Sequence, residues 1–270
     1  MALTGHEMRY VERDGASIAW RADGQPDLPA LIFGNSLGTD HTSWDLVVPR
    51  LSGHFRIIRF DARGHGASNL DATSRGKDYS IELLALDTLA VADAAGVGRF
   101  NYVGLSIGGM IGMWLGQHAA HRLHRLVLSN TAAKLPTEVW TERIAAVRAH
   151  GMSALVDATM QRWFTPAFHA GGDALIARTR DLFLKVDAQG YIGCAAAIRD
   201  MDLRDSLAHI QLPTLVITGS LDSSTPSALG REIAGHIAGA RLAELPVAHI
   251  PQLEQPGAFV DAVEGFLLAR

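Results

Sequence analysis

Cysteine is nearly absent from this chain: Cys194 is the single one in 270 residues. One thiol cannot close an internal disulfide, so nothing points to a disulfide framework or an oxidising compartment. Cys194 stands beside Ala195–Ala197 and reads as a small buried hydrophobe. Long hydrophobic runs are missing as well. No stretch approaches the roughly 18 uninterrupted apolar residues of a membrane span. Charge of one sign is not in excess, with 24 Lys and Arg against 28 Asp and Glu, a formal net charge of -4 and no dense basic run. That balance argues against a nucleic-acid partner. The opening residues 1–15 hold no basic region followed by an apolar one, so no secretory signal is expected. His118, His121 and His124 are spaced by three, but the stretch leaves a helical pattern for a strand. They read as solvated surface histidines, and no metal is expected. The expectation is a cytoplasmic protein acting on a small molecule, without metal, nucleic acid or membrane.

What is present is an ordinary globular composition, 48% hydrophobic and 19% charged. Short apolar runs alternate with helical patterns, the signature of a mostly parallel sheet. Met8–Arg13 and Ala16–Ala22 flank Asp14-Gly15, a hairpin signal. Ala30–Phe33, Phe55–Phe60, Phe100–Val103, Leu123–Leu128, Leu212–Thr218 and Arg241–Leu245 complete eight expected strands. Ile81–Ala95, Ile107–Ala119 and Pro256–Leu268 carry apolar residues at helical spacing. From Thr131 to Asp205 the rhythm changes to helices alone, with no convincing strand. Residues 131–205 therefore read as a helical cap inserted into a core made of residues 1–130 and 206–270.

The chemistry is announced by Gly104-Leu105-Ser106-Ile107-Gly108, G-x-S-x-G between an apolar strand and a helix. A sharp strand-to-helix turn strains the serine, and flanking glycines remove side chains that would clash. A serine hydroxyl is a weak nucleophile and needs a histidine base, which in turn needs a carboxylate to orient it. Asp222 follows the strand Leu212–Thr218, and His249 follows Arg241–Leu245. Both fall at carboxyl ends of strands, where open α/β sheets bind ligands. The position after Leu123–Leu128 reads Ser129-Asn130-Thr131 and offers no competing carboxylate. Asp61, Arg63 and His65 look catalytic, but such a loop more often ties a strand to its neighbours. A tetrahedral intermediate also needs two donors for its oxyanion. The backbone N–H of Ile107 is one expected donor. Leu37, in the Gly34-Asn35-Ser36-Leu37-Gly38 loop, is the other.

Several segments together resemble the α/β-hydrolases that carry a helical cap. They are Asn35–Gly38, Asp61–Ser68, Gly104–Gly108 and His249-Ile250-Pro251 running on to Glu254-Gln255-Pro256. Within that superfamily the chain most resembles the 3-oxoadipate enol-lactonases. The Asn35-Ser36 opening and the stretch Trp140, Arg143, Ile144, Val147 and Arg162–Thr165 carry the closer likeness. The resemblance implies hydrolysis of an anionic enol-lactone to a 3-oxo dicarboxylate, with no cofactor. Trp140, Arg143, Ile144 and Val147 share one helix face, and an inward arginine needs an anionic partner. Arg143 is therefore expected to bind the substrate carboxylate beside Trp140, with Ser36 and Trp163 as further contacts. Lys134, Arg148 and Arg162 are the substitutes if the helix phase differs. Three other readings share the same core: a general carboxylesterase or perhydrolase, a carbon–carbon bond hydrolase, and a ligand receptor that keeps the triad. Turnover separates the receptor from the enzymes.

Overall fold

The structure is a computed structural model that describes residues 7–269. β1 (Arg9–Arg13) and β2 (Ala16–Asp23) form the expected hairpin. Asp14 and Gly15 take φ of 43° and 76°, the left-handed pair that a tight two-residue turn requires. The other strands are β3 (Ala30–Gly34), β4 (Arg56–Phe60), β5 (Asn69–Leu70), β6 (Phe100–Leu105), β7 (Leu123–Ser129), β8 (Thr214–Gly219) and β9 (Arg241–Leu245). The sheet runs β1-β2-β4-β3-β6-β7-β8-β9, and every pair from β4 onward is parallel. The two-residue β5 pairs with β2 off this path and has no clear signal in the sequence. The strand expected from Leu212 starts at Thr214, because Pro213 has no N–H for the ladder and contributes only its carbonyl, to Leu126 N–H. The central strands are buried on both faces, as a parallel sheet sandwiched by helices demands.

Short helices α1 (Val48–Leu51), α6 (Pro166–His169) and α10 (Pro251–Glu254) fill turns. α2 (Ile81–Ala94) begins where Ser80 Oγ accepts the Leu83 N–H at 3.1 Å, and it ends at Gly96. α3 (Ile107–His118) lies against β6 and β7. A Cβ at Gly108 would fall 2.3 Å from Gly34 O, so only glycine permits that approach. Between β7 and β8 come α4 (Thr137–His150), α5 (Ser153–Trp163), α6, α7 (Asp173–Lys185) and α8 (Ala188–Asp200). α9 (Ser227–His236) and α11 (Pro256–Leu267) close the core.

The inserted helices sit on loops at the carboxyl ends of the strands. His249 N–H donates to Trp163 O at 3.1 Å, and Asp187 N–H donates to Gly64 O at 2.9 Å. A Cβ on Gly64 would lie 2.6 Å from the Gly190 Cα, so α8 rests backbone to backbone on the loop after β4. That loop is itself tied down. The fully buried Arg63 guanidinium makes two bonds to Asp87 and reaches the Asp14 and Arg13 carbonyls at 2.8 and 3.1 Å. Removing one partner of a buried ion pair leaves an uncompensated charge. Asp87→Ala should therefore lower unfolding stability by about 3–5 kcal/mol, read as an earlier urea midpoint.

Among the described residues no helix is long and apolar enough to cross a membrane.

Candidate active site

Ser106 caps α3 with φ 57° and ψ −117°, a conformation that L residues avoid. Three contacts hold it there. Its N–H donates to Ser129 O at 2.9 Å, its carbonyl accepts from Thr131 Oγ1 at 2.7 Å, and Gly108 N–H donates to Asn35 O at 3.1 Å. A Cβ at Gly104 would fall 2.1 Å from Gly108 O, which explains the first glycine of the motif. The strain is thus enforced by neighbouring strands, the pattern seen where a side chain must be aimed.

Asp222 and His249 stand past the ends of β8 and β9, at the same carboxyl end of the parallel strands as Ser106 after β6. His249 Nδ1 lies 2.8 Å from Asp222 Oδ2. Both residues are buried. Asp222 Oδ1 accepts the N–H groups of Ser224 and Thr225 at 2.8 and 3.0 Å. Its Oδ2 also accepts from Thr225 Oγ1 at 2.7 Å and Asn130 Nδ2 at 3.1 Å. Burial alone would raise the Asp222 pKa. Attraction to His249 and the hydrogen bonds from His249 and Thr225 outweigh it and hold the carboxyl below its ordinary range. An ionised Asp222 selects the His249 tautomer with hydrogen on Nδ1, leaving Nε2 free to accept a proton. No hydrogen bond joins the Ser106 hydroxyl to His249 in this structure; such contacts often tighten only when substrate is bound.

Asn130 was not foreseen as part of the site. It occupies the carboxylate-free position after β7, with φ 43°. Its amide bridges Asp222 Oδ2 and Ala248 O, the latter at 2.9 Å, so one side chain links the acid loop to the histidine loop. Thr225 was missed for a similar reason, although a threonine three residues after an aspartate is a recognisable turn signal.

Leu37 and Ile107 line one small cavity together with Asn35, Ser36, His65 and Cys194. Neither the Leu37 nor the Ile107 N–H is engaged by another described residue. The Asn35 side chain anchors the loop base, donating to Phe60 O at 2.8 Å and accepting from Trp44 Nε1 at 2.7 Å. Ser36 is buried in this loop, and its carbonyl receives Thr39.

Above the site, the Trp163 ring stacks on His249 at 6.2 Å and meets Phe183 edge-on at 5.8 Å. Phe183 in turn meets Tyr191 at 5.8 Å. The Arg143 guanidinium lies 4.9 Å over the buried Trp140 ring and pairs with no carboxylate among the described residues, Glu138 included. Among the described residues Arg162 also lacks a carboxylate and makes a 3.4 Å bond to Thr159 Oγ1. Burial, then the like charge of Arg143, lowers the Arg162 pKa, and both arginines act on the buried Tyr191. By contrast Arg178, Arg180 and Arg199 on the inserted helices each meet an aspartate. Of the substitutes for Arg143, Lys134 holds the Met201 carbonyl and Arg148 is exposed. Among the described residues no group of three or more His, Cys, Asp or Glu is arranged to hold a metal.

A strained serine at a strand–helix turn, a buried Asp–His pair and two free N–H groups at the carboxyl end of the strands define a class. The chain belongs to the α/β-hydrolase fold family, whose model matches residues 29–256. Within it, the chain is 34% identical to 3-oxoadipate enol-lactonase 1 of Acinetobacter baylyi, over 97% of each chain. It is also similar to the crystal structure of the enol-lactonase from Burkholderia xenovorans LB400, with TM-score 0.92 and 39% identity over 97% of this chain and 100% of that one. A hydrolase from Pseudomonas aeruginosa PA01 superposes with TM-score 0.93 at 43% identity, over 98% and 99% of the two chains.

Proposed function

We propose that this protein hydrolyses a small anionic carboxylic ester or lactone through an acyl-enzyme on Ser106, with 3-oxoadipate enol-lactone as its substrate. Ser106 Oγ attacks the lactone carbonyl while His249 Nε2 takes its proton, and Asp222 stabilises the resulting imidazolium. The N–H groups of Leu37 and Ile107 receive the oxyanion. Collapse of the tetrahedral intermediate expels the enol oxygen, which takes the proton back and tautomerises to the 3-oxo group. Water, deprotonated by His249, then releases the new carboxylate and restores Ser106. The names of the similar enol-lactonases support this choice of substrate.

The observation that carries the anionic reading is the pair Arg143 and Arg162. Two part-buried arginines, which act on each other and on the buried Tyr191, meet no carboxylate among the described residues, whereas Arg178 and Arg180 on α7 and Arg199 on α8 do. An uncompensated cation in a half-buried site is costly unless a ligand supplies the anion. Arg143, braced on Trp140, receives the substrate carboxylate, and Ser36 and Trp163 border the reacting end.

The test is Arg143→Met, which keeps bulk and removes charge. The expected result is a fall in kcat/KM for 3-oxoadipate enol-lactone of about 10-fold or more, about 1.4 kcal/mol or more. Hydrolysis of a neutral p-nitrophenyl ester changes little. An equal loss on both substrates, or none on either, removes Arg143 from substrate binding.

A further inference from the structure

The loop that offers the Leu37 N–H must hold that group in place without using it, and the peptide planes on either side of Leu37 decide how. The Ser36 carbonyl shares a plane with the Leu37 N–H. That carbonyl accepts both the Thr39 N–H at 3.1 Å and Thr39 Oγ1 at 2.9 Å. In a trans peptide the N–H points opposite to the carbonyl, so these two bonds aim Leu37 N–H away from Thr39. The next plane is pinned from outside the loop. Gly38 N–H donates to His65 Nε2 at 3.1 Å. Gly38 has φ 89°, and a Cβ there would lie 2.6 Å from the Phe183 ring, so this bend of the loop requires glycine.

His65 is 1% exposed and lines the same cavity as Leu37 and Ile107. Its Nδ1 lies 2.9 Å from the Arg63 carbonyl, which can only accept. The hydrogen must therefore be on Nδ1, and Nε2 is a lone pair facing the Gly38 N–H. The platform behind it is rigid, because Arg63 is locked to Asp87 and Gly64 O is held by Asp187 N–H. We infer that His65 is a positioning residue for the reaction: as a neutral acceptor it fixes the Leu37–Gly38 peptide and so aligns the oxyanion donor. This rests on the reading of Leu37 N–H as an oxyanion donor. A second proton on His65 would set one N–H against another and release the loop. Burial lowers the His65 pKa; the Arg63 carbonyl and the charges of Asp61, Asp40 and Asp187, the acidic groups around it, oppose this without cancelling it.

Two variants and one spectrum test the inference. His65→Leu removes the acceptor. His65→Gln can present Oε1 to the Gly38 N–H and cannot titrate. Losing an oxyanion donor outright costs about 10²–10³ in rate, and a misaligned one costs less. For a neutral p-nitrophenyl ester, His65→Leu should lose about 10- to 100-fold in kcat with KM changed by less than about threefold. His65→Gln should retain kcat to within about threefold, by the same argument from donor alignment. In the wild-type protein, ¹⁵N spectra of labelled histidine should show His65 protonated on Nδ1 and bare on Nε2 at pH 7. Wild-type kcat in a folded His65→Leu protein, or equal losses in both variants, overturns the inference. In either case, continued labelling of Ser106 by an organophosphonate leaves the serine-hydrolase reading intact. If no form of the protein hydrolyses esters, that reading fails by itself, and the spectrum still decides: an Nε2-protonated His65 refutes the acceptor role. If His65→Leu does not fold, retained kcat in His65→Gln together with the Nδ1-protonated spectrum supports the inference, and failure of either one overturns it.

Discussion

Ser106→Ala is expected to fold as the parent does and to lose about 10⁴- to 10⁶-fold in kcat on any ester or lactone the parent hydrolyses. The fold should survive because the removed hydroxyl makes no hydrogen bond among the described residues, while the contacts that hold residue 106, from Ser129 and from the Thr131 side chain, all engage its backbone. Alanine meets the same φ of 57° at nearly the same steric cost as serine. Rate, by contrast, should nearly vanish. What remains is the binding and oxyanion contribution of Leu37 and Ile107, with no group to form the acyl-enzyme. The measurement is kcat beside a circular dichroism spectrum, with mass spectrometry of phosphonate-treated parent and variant. A variant that keeps most of its kcat, or still takes up the phosphonate, would place the nucleophile elsewhere.

The second large effect is expected at Asp222→Asn, about 10⁴-fold in kcat with little change in KM. The site dictates how the amide must sit. The two backbone N–H groups of Ser224 and Thr225 point at Oδ1, so that position must stay an oxygen. The new NH₂ then occupies the place of Oδ2, facing His249 Nδ1 and Asn130 Nδ2. A donor there forces the histidine hydrogen onto Nε2, and the base can no longer accept from Ser106. It also opposes a second donor, Asn130, so stability should fall by about 1–3 kcal/mol. The pH dependence carries an independent check. Asp222 is held below the ordinary carboxylate range when folded, so its contribution to stability is present above that range and is lost as pH falls through the lowered folded value. Part of the acid destabilisation of the parent should therefore be missing in Asp222→Asn. A wild-type rate in the variant would move the orienting acid away from Asp222.

These two residues illustrate how the site is assembled. Ser106 is aimed by contacts with β7 and with the loop after β3. Asp222 and His249 are joined directly and again through Asn130. The inserted helices then close over them, with Trp163 serving twice: its carbonyl holds the His249 N–H and its ring covers the imidazole. Under the proposed function, changes at Arg143 and Arg162 in the insert are expected to alter substrate choice while the loops below keep their geometry.

The local parts of this protein were legible in the residues alone. Strand runs, the Ser80 and Gly96 signals around α2, and the glycines around Ser106 all answer to steric demands met within a few positions of the chain. The order of Ser106, Asp222 and His249 could be read for the same reason, since each follows a strand whose own pattern is local. What only the tertiary structure decided is which distant groups meet. Asn130 reaches Asp222 and Ala248, His65 reaches Gly38, and Phe183 lies over Gly38. Arg143 lies on Trp140 and pairs with no acid among the described residues, a fact that depends on where every carboxylate of the insert ends up. The physical reason is that periodicity reports which face of an element is apolar. The partner of a polar side chain is set by strand order and by how the inserted helices seat on the sheet, and neither is encoded at short range.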